Sequence, residues 1–208
     1  LSYTSVENAR LNMQAEAADL DFDGALLAAN EAWEEALGRI RVEGGTEREK
    51  GLFYSSLYRA FLWPALRSDV NGEFTDADGE VVNTGFRYYT GPSYWDDYRN
   101  KLILLGLLAP DVAADVISSD TDRGEKRGGF MPTFFHGDHA SAFVAGVYLR
   151  GIRGFDVRRA YELVLRNATV QGPIRPWLDE YVARGYIPEM DVENPVTQTV
   201  CKLSLIHI

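Results

Sequence analysis

Disulfides, membrane spans and a grip for phosphate backbones are what this chain lacks first. Its 208 residues hold one cysteine, Cys201, so no internal disulfide can form and no thiolate cluster can be built around a metal. That leaves the compartment open. No run approaches the ~18 consecutive apolar residues of a transmembrane helix. The opening residues LSYTSVENAR have neither the basic flank nor the apolar centre of an export signal, which is expected upstream of Leu1 if there is one. Basic clusters are missing as well. Asp and Glu number 31 against 21 Lys and Arg, for a formal charge of −10, which disfavours nucleic acid as a partner. The acidic excess is compatible with a calcium-dependent extracellular protein, although a solvated acidic surface is the simpler explanation. What is present is 46% hydrophobic and 25% charged residues, a mixture that buries a core rather than remaining disordered.

The spacing of apolar residues predicts helix after helix. Phe22, Leu26, Ala29, Trp33, Ala36 or Leu37, and Ile40 fall on one stripe. Thr46-Glu47-Arg48-Glu49 fits a capping box opening a second helix, which Pro64 stops. Between Asp69 and Thr90, the β-prone runs Val81-Val82 and Phe86 to Thr90 flank the turn residues Asp76-Ala77-Asp78-Gly79, predicting a hairpin inserted between helices. A third helix is expected from near Ser93 to Pro110 with Asp96 as its N-terminal acid, and a short fourth over Asp111–Ile117. Ser118–Gly129 reads as a polar surface loop. Asp138 and Asp156 are expected N-caps, and a last helix uses Pro176 in its first turn and Gly185 at its end. The N-terminal residues read as strand or linker. Together this predicts an all-α domain of antiparallel helical hairpins with one inserted β-hairpin. No fixed repeat is present. Leu203–Ile208, LSLIHI, follows a polar stretch without turn or cap and matches a hexapeptide encoded by a sequencing-library adapter. It is expected to be non-native, and residues 1–202 to be a truncated domain.

The segment Tyr88 to Arg99, YYTGPSYWDDYR, concentrates aromatic rings around two adjacent carboxylates and an arginine. Rings cover the C–H face of a pyranose, while carboxylate and guanidinium groups bond its hydroxyls. The structural alternative is aromatics in the core, Asp96 as a cap and Arg99 paired locally. Asp96 and Asp97 would project about 100° apart on a helix, so at most one faces a ligand. A glycosidase needs two carboxyls ~5 to 9.5 Å apart, and the second must come from elsewhere. His136-Gly137-Asp138-His139 is a second cluster, for which an N-cap with a packed histidine competes with metal binding. With no further histidine near, zinc is disfavoured. Asp69 to Glu73 and Asp76 to Gly79 lack the spacing of a calcium loop and are explained by turns. Nucleophile elbows, phosphate loops and dinucleotide fingerprints are absent.

Taken in order, SYTSVENARLN, the run from Phe22 to Pro64, RYYTGPSYWDDYRN and HASAFVAGVYLRGIRGFDVRRAYE resemble glycoside hydrolase family 92, exo-acting calcium-dependent α-mannosidases. The resemblance implies part of an (α/α)6 toroid, preceded in the family by a β-sandwich domain. It places Trp95 and Asp96 in the pocket for the terminal mannose with Arg99 in support; His136 and Asp138 are expected as further substrate contacts if the protein is such a hydrolase. It also implies secreted, periplasmic or cell-surface placement, α-mannoside glycans as substrates, and inversion assisted by calcium. The family's general acid and base are expected in Gly-Asn-Glu-Pro and Gly-Asn-Asp-Asp segments. Neither string occurs here, so no catalytic residue or metal ligand is assigned to this chain. The stretch before His139 is compact for the family, which leaves the linkage open. Two rival readings remain: a helical domain that binds glycans without cleaving them, which the same aromatic and acidic residues would serve, and a helical-toroid hydrolase acting on glucosides, which shares the fold but is not expected to retain WDDYRN. A late glutamate and aspartate pair downstream of Thr199 would separate cleavage from binding.

Overall fold

The chain opens with a helix rather than the expected strand or linker: α1 spans Val6–Ala17, its first turn capped by the Ser5 side chain, which accepts from the Asn8 N–H. Its buried residues are Asn8 and Asn12, one helical turn apart, so an apolar period could not reveal it. Both asparagines donate to Asp69, Asn12 at 2.7 Å and Asn8 at 3.0 Å, and the Ser2 hydroxyl donates to the same carboxylate at 2.8 Å, joined by Thr4. The computed structural model describes residues 1–18, 21–95, 97–133, 137–172, 175 and 177–186. Pro176 and Leu203–Ile208 therefore lie outside the described residues.

Helix α2 (Phe22–Leu37) is capped by Asp21, and α3 (Glu47–Phe61) by the reciprocal Thr46–Glu49 box that the sequence predicts. The two form a hairpin in which Trp33 meets Tyr58 with ring centroids 4.4 Å apart. The Tyr54 hydroxyl donates to the Ile40 carbonyl at 3.1 Å. None of the apolar stripe of α2 is buried, and α3 buries only Leu57.

The inserted hairpin is shorter than expected. Strands β1 (Phe74–Thr75) and β2 (Val81–Val82) pair antiparallel, Phe74 opposite Val82. The turn is set by the Asp76 carboxylate, which accepts from the N–H groups of Asp78 and Glu80, with Gly79 at φ 89°. The run 86–90 is not its second strand. It bridges instead to Leu66, where Arg67 N–H donates to Tyr88 O at 2.7 Å and Thr90 N–H to Ala65 O at 2.9 Å.

The third helix begins later than predicted. Gly91 and Pro92 keep the chain irregular, a 3-10 turn covers Asp97–Arg99, and α4 is Lys101–Leu108 with Asn100 as its cap. Ala109 caps the end of α4 and the start of α5, with Pro110 at the first helical position. The predicted loop 118–129 is a correction: α5 continues from Pro110 to Lys126. Its polar residues Ser119, Asp120 and Thr121 are buried: Ser119 and Thr121 donate to carbonyls one turn back, of Asp115 and Ile117, and Asp120 pairs with Arg123. Helices α6 (His139–Leu149) and α7 (Val157–Thr169) start on Asp138 and Asp156 as expected. Helix α8 (Leu178–Arg184) ends on Gly185 in the left-handed conformation that glycine favours. Eight helices and one two-stranded sheet among the described residues make the fold helical, as predicted.

The core lies among α4 to α7. Leu102, Leu105, Val116, Ile117, Met131, Phe143, Val147 and Leu163 form its centre, and Phe61 reaches it from α3. No helix among the described residues is long and apolar enough to cross a membrane.

Candidate functional site

The aromatic segment is laid onto α5 by polar contacts at both ends. Ser119 on α5 accepts from the Tyr89 N–H at 3.0 Å, and Arg123 donates to the Tyr89 carbonyl at 2.7 Å. Tyr88 stacks on Phe74 of the hairpin, centroids 4.1 Å apart, and the Arg123 guanidinium also lies over it, 5.0 Å from the ring centre. Tyr94 is buried and donates its hydroxyl to Asp120, which also takes Arg123 at 2.5 Å. Burial pushes the Tyr94 phenol well above its ordinary range, and the Asp120 charge adds to that, so it stays a hydrogen-bond donor. Burial likewise raises the Asp120 carboxyl, against the pull of Arg123.

This anchoring delivers Trp95 to the surface. Its side chain is 37% exposed, directly after a residue that is fully enclosed. Its ring meets His139 edge to face at 6.5 Å. His139, the first residue of α6, stacks on Tyr98 at 4.6 Å with the planes 13° apart, and the Arg99 guanidinium lies 5.3 Å from the Tyr98 ring centre. The result is a wall of indole, imidazole and phenol rims with a cation at its edge. Such a wall can cover the apolar face of a sugar and bond its hydroxyls.

The structure therefore brings Trp95, Arg99 and the start of α6 together, which sequence distance alone does not. Asp96 and His136 lie outside the described residues. Asp138 is placed differently from the others: it is fully enclosed, accepting from Ser141 at 2.6 Å and Asn167 at 3.1 Å, with Arg175 at 3.4 Å. It braces the start of α6 behind the wall. Asp97 faces Lys101 at 3.6 Å. Three carboxylates of this region are thus committed to structure, Asp97 to Lys101, Asp120 to Arg123 and Asp138 to Arg175.

Sequence reasoning missed His139 as a ring partner of Tyr98, and missed Asp120 and Arg123 entirely because they fell in the expected loop. The signal was present in Ala113, Ile117, Asp120 and Gly124, buried at helical intervals through the polar stretch. Among the described residues, no three histidine, cysteine, aspartate or glutamate side chains converge to hold a metal ion. The Asp69 and Asp76 regions are hydrogen-bonded turns, as the spacing predicted. A polar cleft of about 430 Å³ lies elsewhere, between the hairpin exit and the start of α7, lined by Phe86, Asp122 and Arg159 among others.

Comparison with known proteins gives the family and the fold. The family model for the glycosyl hydrolase family 92 catalytic domain matches residues 8–202. Among solved structures, the family GH92 α-mannosidase BT3965 from Bacteroides thetaiotaomicron superposes with a TM-score of 0.83 at 29% identity, covering 91% of this chain and 26% of its own. The GH92 inverting mannosidase BT2199 of the same organism gives 0.80 at 29% identity, with coverages of 92% and 28%. The gh92 family glycosyl hydrolase ccman5 gives 0.71 at 27% identity, with coverages of 89% and 26%. No curated protein sequence matches. The chain spans about a quarter of the length of these solved relatives.

Proposed function

Because the chain belongs to glycosyl hydrolase family 92, we propose that the protein containing it hydrolyses terminal α-mannosidic linkages of glycans, and that this segment forms one wall of the pocket for the terminal mannose. The observation that carries the reading is the Trp95 platform: an exposed indole set beside His139, Tyr98 and Arg99 within a chain that superposes on a GH92 α-mannosidase over 91% of its length.

In this mechanism Trp95 lies under the C–H face of the mannose ring, and the Asp96 carboxylate accepts from a ring hydroxyl, resisting rotation of the sugar. Arg99 and His136 donate to further hydroxyls or to the departing group. Asp138 acts through the backbone, holding the first turn of α6 so that His139 keeps Trp95 and Tyr98 in register. The proton donor and the water-activating carboxylate are supplied by parts of the protein outside this segment, and the reaction inverts the anomeric carbon with the two carboxyls far enough apart to admit water. Calcium is proposed as the assisting ion. Among the described residues no three histidine, cysteine, aspartate or glutamate side chains converge to hold it. Secretion to the periplasm or cell surface accords with glycans as substrates. The 208-residue segment alone is inactive, since it holds one wall and not the acid–base pair.

Turnover of an aryl α-mannoside by the full protein, followed by NMR of the released sugar, tests the reading. The β-anomer is expected first, activity is expected to fall on chelation and return with calcium, and Asp96→Ala is expected to lower kcat/KM by on the order of 100-fold or more. Unchanged turnover in that variant removes Asp96 from the pocket. Glycan binding without any turnover would instead assign the helical domain to recognition.

A further inference from the structure

Asp120 and Arg123 have no part in the mechanism proposed above, yet they are among the most enclosed charges described, with side chains 1% and 12% exposed. Stability does not account for them. A buried ion pair is often no more stabilising than apolar residues of the same volume, and α5 is already packed by Ala113, Val116 and Ile117. What the pair does is hold two separated points of one irregular segment. Arg123 uses its three nitrogens at once: Nε and Nη2 bond Asp120 Oδ1 at 3.1 and 2.5 Å, and Nη1 bonds the Tyr89 carbonyl at 2.7 Å. The remaining oxygen, Asp120 Oδ2, takes the Tyr94 hydroxyl. Between these points Gly91 lies so close that a Cβ there would stand 3.7 Å from Arg123 Nη2 and 3.8 Å from Asp120 Oδ1. Residues 91–94 belong to neither helix nor strand, so no ladder of backbone bonds fixes them. Trp95 follows immediately.

We infer that Asp120 and Arg123 are positioning residues: acting through Tyr89 and Tyr94, they set where the Trp95 indole stands against His139, and hence how the sugar platform meets a mannose ring. The catalytic meaning of this inference rests on the mannosidase reading, whereas its structural part does not. The pair touches no substrate. Its effect passes through the position of one ring, and displacing a substrate-positioning group by about 1 Å can cost up to about 100-fold in rate.

Tyr94→Phe is the sharpest test, because it deletes one hydroxyl and keeps the ring that fills the core beside Phe143. Asp120→Asn serves as the second variant, keeping the side-chain shape while removing the charge that aligns Arg123. In the full protein both should lower kcat/KM for an aryl α-mannoside by on the order of 10-fold, chiefly through KM, as expected when a binding surface shifts. Leu163→Ala, in the core on α7, should lower Tm at least as much and leave KM unchanged. Equal KM values in Tyr94→Phe, Asp120→Asn and wild type overturn the inference. Hydrogen exchange of the 88–99 peptide separates this failure from failure of the mannosidase reading. If wild type turns over no mannoside, faster exchange of that peptide in Tyr94→Phe, with the α7 peptide unchanged, still supports the positioning role, and unchanged exchange overturns it.

Discussion

Helices α1 to α3 and helices α4 to α7 end in opposite conditions. In the first group several apolar side chains of α2 stand in solvent, Phe22 at 77% and Leu27 at 60% exposure. Between Leu1 and Trp63, Leu57 is the one buried apolar residue among those described. In the second group Val116, Ile117, Ala113 and Ala160 are fully enclosed and the core is continuous from Tyr89 to Leu163. Helix α1 is held by the Asp69 hub, and α2 is tied to α4 by Arg39, which donates to the Leu108 carbonyl at 2.5 Å. Polar bonds hold α1 and the end of α2, with Phe61 of α3 reaching the core, whereas apolar burial dominates the later helices. An apolar stripe therefore states that a helix has a face to cover, without stating that the cover lies nearby in sequence.

Truncating a side chain in each group is the strongest way to break this contrast. Ile117→Ala should destabilise by about 2–5 kcal/mol through the lost contacts and the cavity left behind, read as a large drop in Tm. Leu26→Ala in α2 should stay within about 0.5 kcal/mol of wild type. Similar Tm losses would mean the two groups share one core after all. Asp69→Ala should cost about 1–3 kcal/mol, because the side-chain donors of Asn8 and Asn12 lose their acceptor, and hydrogen exchange should show α1 loosening first. The pH dependence follows from the same hub. Burial pushes the Asp69 carboxyl up, but the donors Thr4, Asn12, Ser2 and Asn8 outweigh it and hold it below its ordinary value. The carboxylate thus stabilises the fold above that ordinary value, and its contribution disappears as pH falls through the lowered one. Wild type and Asp69→Asn should differ in Tm at neutral pH, and the difference should shrink as the pH falls below the ordinary aspartate range. Among the polar sites a smaller effect is expected of Thr46→Ala, about 1 kcal/mol from loss of the α3 cap, read by urea denaturation. A change in α4 exchange in that variant would count against independent anchoring.

Caps made α3, α6 and α7 legible because Thr46, Asp138 and Asp156 act within a few residues of themselves, and the apolar stripe did the same for α2. Three things were not legible, for different reasons. Helix α1 turns a polar face inward, so periodicity carried no signal. The far half of α5 looks like a loop because its buried face is made of Ser119, Asp120 and Gly124, whose partners lie far away in sequence. The onset of α4 was misplaced because Asp96 and Asp97 imitate an N-terminal acidic turn, whereas Asn100 supplies the cap. Of the candidate site, the aromatic wall at Trp95 and Tyr98 was readable from composition. Its closure by His139, and its foundation on Asp120 and Arg123, required the fold.

Helices α4 and α5 meet at Ala109 with no residue to spare between them. One amino acid inserted there would turn the whole of α5 by about 100° about its axis, carrying Asp120 and Arg123 away from the strip they grasp. An insertion in the tight turn at Asp76–Gly79 would lengthen only a surface loop. Gain and loss of residues during divergence is thereby channelled to the hairpin, while the elbow at Ala109 tolerates substitution but not a change in length.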